Sequence, residues 1–411
     1  MNSSWREYNV GEVCEVVDCQ HKTAPTVNYK TPYKMLRTTN IRNGFIDSVN
    51  VKYVTKETYE AWSVRGKLKR GDVILTREAP MGEVGLIKTD DKFFLGQRLL
   101  QLKANTEILS PEFLYYSFRG PLLQNQIKKH DGTGSVVSNL RIPDLKKFTI
   151  KVPSKTVQSR IVDILGSLDD KIELNRRMNE TLEQMAMALY KYWFVDFGPF
   201  SDIDENGLPI GWRWGTLEEI GYTYKDQVDP TELDYQLPYI GLEHMPKGSI
   251  SLEEWEYSDK VSSNKFLFDK GDILFGKLRP YFKKVGVAPV NGVCSTDILV
   301  IRPKSDVFFG LLFAQVIQDE FIDYCSNTSN GTKMPRCDWN QMAKFKLPIP
   351  SDSVLIDFNK KIKSFVEQVI SNIHENRMLI EIRDFLLPRL LSGEIEVREA
   401  EEQVEEVLAH A

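Results

Sequence analysis

The sequence predicts an α+β fold in which one unit is written twice: two mixed α/β domains separated by a pair of long antiparallel helices that form a coiled coil, with an internal pseudo-two-fold repeat. Three observations carry that prediction. A helical seam over residues 158–194 returns 197 residues later. Short landmarks recur in the same order around both copies. A Gly, Pro and Asp-rich stretch, DFGPFSDIDENGLPIG, separates the copies where the first helix must stop.

The seam comes first because it organises the rest. Ile161, Leu165, Leu168, Ile172, Asn175, Asn179, Leu182, Ala186, Leu189 and Trp193 follow alternating four- and three-residue steps. That is the pattern of a helix packed lengthwise on another. At +197 the series reads Phe358, Ile362, Phe365, Val369, Asn372, Asn376, Leu379, Arg383, Leu386 and Leu390. An Asn in an apolar seam costs stability unless its amide finds a partner, and its best-attested use is to fix register. Two pairs at equal places predict that the helices pair with each other. A helix from Ile161 to Trp193 would be about 50 Å long at 1.5 Å per residue.

Around the helices the chain divides into 1–152, 153–196 (first long helix), 197–211 (linker), 212–350, 351–393 (second long helix) and an acidic tail, 394–411. Trp5-Arg6 opens the first globular block and Trp212-Arg213 the second. KRGDVILTREAP (69–80) matches DKGDILFGKLRP (269–280), each reading as a turn, a buried strand and a short basic segment. Each block then offers a helical stretch and a polar loop, GTGSVVSNLRIPDLKKFTIKVP (132–153) and NGTKMPRCDWNQMAKFKLPIP (330–350). Both blocks hand over to their helix alike, so a whole domain plus its helix is duplicated, on a period too long for a solenoid.

Length and composition exclude several classes. Hydrophobic residues make up 42% and charged residues 27% of 411, which is ordinary globular usage. No apolar run approaches a membrane span and the start MNSSWREYNV lacks signal-peptide features, so a cytoplasmic protein is expected. Five Cys form no paired framework. Cys14, Cys19 and His21 are too few for a metal site, and no metal is expected. The net charge is −5, yet residues 1–150 carry 23 Lys and Arg against 16 Asp and Glu, a local +7. Much of the acid lies in the tail EIEVREAEEQVEEVLAHA, expected to be a solvated helical end or a protein-binding extension.

No catalytic constellation stands out. There is no GxxxxGK[ST], and GTGSVV lacks the third Gly of a dinucleotide fingerprint. No Asn-Pro-Pro-Tyr or Asp-Pro-Pro-Tyr tetrapeptide exists, and Asp90-Asp91-Lys92 has no paired upstream acid. What remains is recognition surface. Arg37, Thr38, Thr39, Asn40 and Arg42 share one short run, and such side chains suit base edges and phosphates. Arg77, Gln97, Arg98, Thr133, Ser135 and Arg141 join them in the first block, and Lys277, Arg279, Thr332, Lys333 and Arg336 in the second. The competing reading of each is a solvated loop residue. These loops differ in residue type between blocks whose scaffolds match, as expected of two readers of different sequences. Two reading heads suit a DNA target with two half-sites.

On these features the chain resembles the specificity subunit of type I restriction-modification systems over essentially its whole length. The resemblance rests on two domains alternating with two long helices, on the Gly-Asp-Ile/Val-Leu element (Gly71–Leu75, Gly271–Phe275), on the Gly-Ser/Thr loop, and on Pro153, Gln158 and Ile161 at the helix start. The second helix start departs, with Leu355 in place of the Gln, so a contact made by Gln158 is expected to be missing there. The resemblance implies a non-catalytic subunit with two target-recognition domains and a bipartite double-stranded DNA target. It also implies two methyltransferase (modification) subunits and restriction/translocase subunits as partners, with S-adenosylmethionine, ATP and Mg bound only by those partners. Alternatives are a specificity subunit of a type IIB-like or other methylation-based defence complex and, from another class, a coiled-coil protein-interaction scaffold.

Overall fold

The computed structural model describes residues 5–130, 139–232, 236–331 and 333–410. Contacts divide the chain into two compact units, one of Met1–Asp169 with Ile380–Ala411 and one of Asp170–Leu379. The long helices run over Lys155–Tyr190 and Asp352–Ser392, so each contributes to both units.

In the first unit, Arg6–Asn9 pairs antiparallel with Thr149–Val152, which ties the start of the block to its handover into the helix. A four-stranded antiparallel sheet follows in the order Cys14–Asp18, Leu99–Ala104, Val73–Arg77, Met81–Leu86. Val73–Arg77 is buried at every position, which is why its first three residues, Val73, Ile74 and Leu75, are all apolar without alternation. Tyr33–Leu36 lies parallel to Lys92–Leu95 in a smaller sheet. The helix Pro111–Arg119 begins where Ser110 Oγ accepts from Phe113 N at 3.1 Å, with Pro in the first turn.

The second unit rebuilds this plan. Arg213–Thr216 pairs with Lys346–Ile349, and a four-stranded antiparallel sheet runs Gly221–Tyr224, Ile298–Pro303, Ile273–Gly276, Val285–Val287. Pro238–Ile240 lies parallel to Gly292–Cys294. The repetition extends to single bonds. Gly71 N donates to Ile87 O and Gly271 N to Ala288 O, both at 2.9 Å. Asp72 Oδ2 accepts from Lys69 N and Asp272 Oδ2 from Asp269 N, both at 2.7 Å. The Gly-Asp element is therefore a turn in which the Gly takes φ near +90° and the Asp ties off the preceding amide.

The helix seam is buried as its spacing predicts. Ile161, Leu165, Leu168 and Ile172 have no exposed surface, nor have Phe358, Ile362, Leu379 and Leu386; Val369 is 4% exposed. Leu182 and Phe365 are only partly covered and pack at the edge of the second unit's core. Within that unit Asn175 Nδ2 donates to Asn376 Oδ1 at 3.0 Å and Asn372 Nδ2 to Asn179 Oδ1 at 2.7 Å. Each Asn meets the non-equivalent Asn of the other copy, as an antiparallel two-fold pairing requires. Asn175 also donates to Glu375 Oε2 at 2.7 Å, whose other oxygen lies 2.9 Å from Lys171 Nζ.

Both helix starts are fastened, by different residues. Gln158 accepts from Ser110 N at 3.0 Å and donates to Ile108 O and Pro153 O. Leu355 is buried instead, and Asn359 one turn later takes over, accepting from Gly310 N at 2.7 Å and donating to Asp306 O at 3.0 Å. The missing contact is thus replaced. The acidic tail is also different from expectation. Val397–His410 is a helix whose Ala400 and Val404 are buried in the first unit, and Arg160 grips Glu401 through two bonds of 3.1 and 2.6 Å. Its apolar stripe, hidden in the sequence among five Glu, docks it. All five Cys are buried and free, and burial pushes the Cys14 and Cys294 thiols up to about 12. Among the described residues no helix is long and apolar enough to cross a membrane.

Candidate nucleic-acid interface

The run 36–46 folds into a short 3-10 turn, Thr38–Asn40, and a two-residue hairpin of Ile41–Arg42 with Phe45–Ile46. Asn43 and Gly44 form its turn at φ +50° and +89°, the Asn-Gly preference of tight hairpins. Arg42 and Thr39 are exposed, Arg37 and Thr38 half-buried. Arg42 lies 3.6 Å from Glu83, which also accepts from Asn43 N at 2.9 Å. Asn40 faces inward. It is 2% exposed, its Oδ1 accepts from Arg37 N and its Nδ2 donates to Asn50 O, both at 3.0 Å. Its amide shapes the loop.

A second cluster forms where the strand Val73–Arg77 ends. Arg77 is 7% exposed, its Nε donates to Asn139 Oδ1 at 2.9 Å, and its Nη1 meets both oxygens of Asp18 at 3.0 and 3.1 Å. The guanidinium braces the strand end against the loop. Arg98, at φ +67°, stays half exposed beside Glu78 at 3.2 Å, and Gln97 donates to His21 O at 3.3 Å. Arg141 is exposed and precedes the turn Ile142–Leu145. Thr133 and Ser135 lie outside the described residues. Asp18, Cys19 and His21 bring three donor atoms within 4.8 Å of one another, but the Asp18 carboxylate already serves Arg77, and burial pushes the Cys19 thiol up.

The second unit repeats the backbone of that cluster and changes its side chains. Arg77 N donates to Arg98 O and Leu140 N to Arg77 O; Lys277 N donates to Asp297 O and Cys337 N to Lys277 O. Asp297 gathers the charges here, 3.9 Å from Lys277 and 3.2 Å from Arg336. Arg279 stands at φ +52°, donates its amide to Pro335 O at 2.7 Å, and keeps a buried Nε without a protein partner. Lys333 is exposed; Thr332 lies outside the described residues. Neighbouring groups went unnoticed in the sequence. Tyr281 is 53% exposed at the tip of the turn Pro280–Phe282, and Lys247 sits 4.0 Å above the Phe282 ring. Two left-handed residues, Arg279 and Lys283, bracket that turn, and the basic spacing around Pro280 was its only signal.

Each unit thus presents basic and polar side chains at one recurrent strand end, on equivalent backbone bonds, with different residues at these positions among the described ones. The family described as type I restriction modification DNA specificity domain matches residues 2–184 and 209–383, once per copy. The chain belongs to that family. It is 26% identical over 367 residues to the type I restriction enzyme MjaIX specificity subunit of Methanocaldococcus jannaschii, covering 84% of this chain and 82% of that one. To the HindI specificity subunit of Haemophilus influenzae it is 24% identical, covering 96% and 100%. Among solved structures, the type I restriction-modification S subunit from M. genitalium aligns with a TM-score of 0.51 at 17% identity, over 95% of this chain and 97% of that one, a likeness of fold. The specificity family accounts for the two-domain repeat.

Proposed function

We propose that this chain is the non-catalytic DNA-specificity subunit of a restriction-modification complex, reading one half of a bipartite duplex target with each domain, bounded at 1–152 and 212–350. The observation that carries this reading is the strand-end site built twice on the same backbone bonds with different side chains. For the first half the readers are Arg37, Thr38, Thr39, Arg42, Gln97, Arg98 and Arg141, with Asn40 and Arg77 as braces. For the second half they are Lys277, Arg279, Lys333 and Arg336, joined by Tyr281. The paired helices set the number of base pairs between the halves, because the Asn pairs admit one register. Two methyltransferase subunits and the restriction subunits supply S-adenosylmethionine, ATP and Mg chemistry.

The test is to co-express the chain with its methyltransferase and map modified bases. A two-part motif is expected, with Arg42→Ala and Arg98→Ala altering one part and Lys277→Ala with Arg336→Ala the other. Affinity should fall steeply with salt, as phosphate contacts require. A single continuous motif, or salt-independent association without DNA, would overturn the reading in favour of a protein scaffold.

A further inference from the structure

We propose that Asp169, held between Arg119 and Arg383, is a positioning centre for the hairpin Ile41–Ile46, so that the pairing of the long helices sets the placement of the first reader. This rests on the reading above that the hairpin faces DNA. The connection is a continuous line of short bonds inside the first unit. Arg383, on the second long helix, donates Nη1 to Asp169 Oδ1 at 2.9 Å. Arg119 donates Nη1 to Asp169 Oδ2 at 2.6 Å and Tyr116 its hydroxyl to the same oxygen at 3.0 Å. Arg119 Nη1 also reaches Tyr115 Oη at 2.7 Å, and Tyr115 donates that hydroxyl to Gly44 O, at the hairpin turn, at 2.9 Å.

Most of the line is buried: Asp169 is 2% exposed, Arg383 5%, and Tyr115 and Tyr116 3% each, with the Arg119 side chain at 10%. Asp384 holds the far side of Arg383 at 2.8 and 2.9 Å, so two guanidiniums face two carboxylates and the charge balances. Charge-assisted bonds of this kind, away from water, fix geometry more tightly than neutral ones. Gly44 is seated hard against them. A Cβ there would stand 2.7 Å from both Arg119 Cζ and Tyr115 Oη, on backbone already at φ +89°. The Tyr115 hydroxyl is not needed to neutralise Asp169, which has its three donors without it. Its one use outward is the bond to the hairpin.

Among the described residues the other copy has no charged line of this kind, and the matching helix meets the long helix through the uncharged pair Gln315 and Tyr190. The helix Phe309–Val316 places Phe313 and Ala314, both fully buried, 198 residues after Tyr115 and Tyr116. The line therefore concerns the first reader alone, and that asymmetry makes it testable.

The experiment takes the full chain in complex with its methyltransferase and selects bound targets from DNA randomised in both halves. Tyr115→Phe removes only the hydroxyl, and should weaken binding through the first half about 5-fold, the worth of one hydrogen bond, or widen base choice there. The second half should keep its preference, and thermal unfolding should stay close to that of the parent. Asp169→Asn and Arg383→Met should give the same one-sided change although neither touches the hairpin. Unchanged preference in both halves, or equal weakening of both in step with lost stability, overturns the proposal while leaving the two-reader function standing. A parent complex without any two-part target overturns both.

Discussion

The two units fasten their recognition segments to the long helices by different means. In the first, the fastening is a buried line of charges, Arg383, Asp169 and Arg119, that ends on the hairpin through Tyr115. In the second, one buried bond from a backbone amide stands beside two partly exposed contacts. Glu183 accepts from Ile250 N at 3.1 Å, Arg176 meets Glu253 at 3.2 Å, and the Arg377 guanidinium lies 3.7 Å over the Trp255 ring. The backbone of the duplicated scaffold is the same while the tethers are not, so fold and fastening answer to different demands. Burial also makes them unequal in strength. Removing one partner of a buried pair leaves an uncompensated charge, whereas a half-exposed pair is replaced by water.

That contrast is open to measurement. The largest effect is expected for Asp169→Ala, which strands two guanidiniums and should cost about 3–5 kcal/mol in denaturant unfolding. A loss near zero would erase the distinction between the tethers. Next comes the polar seam of the second unit: replacing Asn175 and Asn376 together by Leu should stabilise the protein by about 1 kcal/mol while permitting other helix registers, visible as mixed spacing in the modified motif. Arg176→Ala should cost no more than about 1 kcal/mol, since its partner Glu253 and the Arg itself are 22% and 31% exposed. A larger loss would place both tethers in one class.

The smallest effect is a slope with pH. Burial raises the Glu183 carboxyl above its ordinary 4.5. Between that value and the raised one the folded protein binds the extra proton, so stability present below pH 4.5 is lost as pH rises through the folded value. Glu183→Gln should flatten that part of the pH-stability curve, with the Ile250 amide still accepted by the Gln oxygen. An unchanged slope would mean that Glu183 is not the group responsible.

The duplicated plan and the helix pairing were legible because both leave periodic traces. An Asn at a seam position interrupts an apolar pattern, and two such interruptions at one offset identify partners before any coordinates. Asp169, Glu183 and Glu375 left no trace of that sort, since an acidic residue beside a seam reads like any solvated helix face until its partner is placed. Arg383 was visible as an oddity at a seam position, but Arg119 and Asp169 are remote in sequence. The same limit explains the candidate site. Arg, Asn and Thr in one loop mark a polar surface, yet whether an amide points outward depends on burial, and Asn40 and Arg77 turned inward to hold the loop. Asn359 shows the converse: the start of the second helix lost its Gln but kept the function one turn on.

The first unit is assembled from both extremities of the chain, Met1–Asp169 and Ile380–Ala411. On a ribosome making 5–20 residues per second, the opening segment must wait roughly 10–40 s while the intervening stretch is synthesised. Through that interval Asp169 has Arg119 beside it and no Arg383, and Arg160 has no Glu401. The unit begun later is the one whose residues are complete earlier, and the nascent first reader acquires its support only once Ile380–Ala411 has followed.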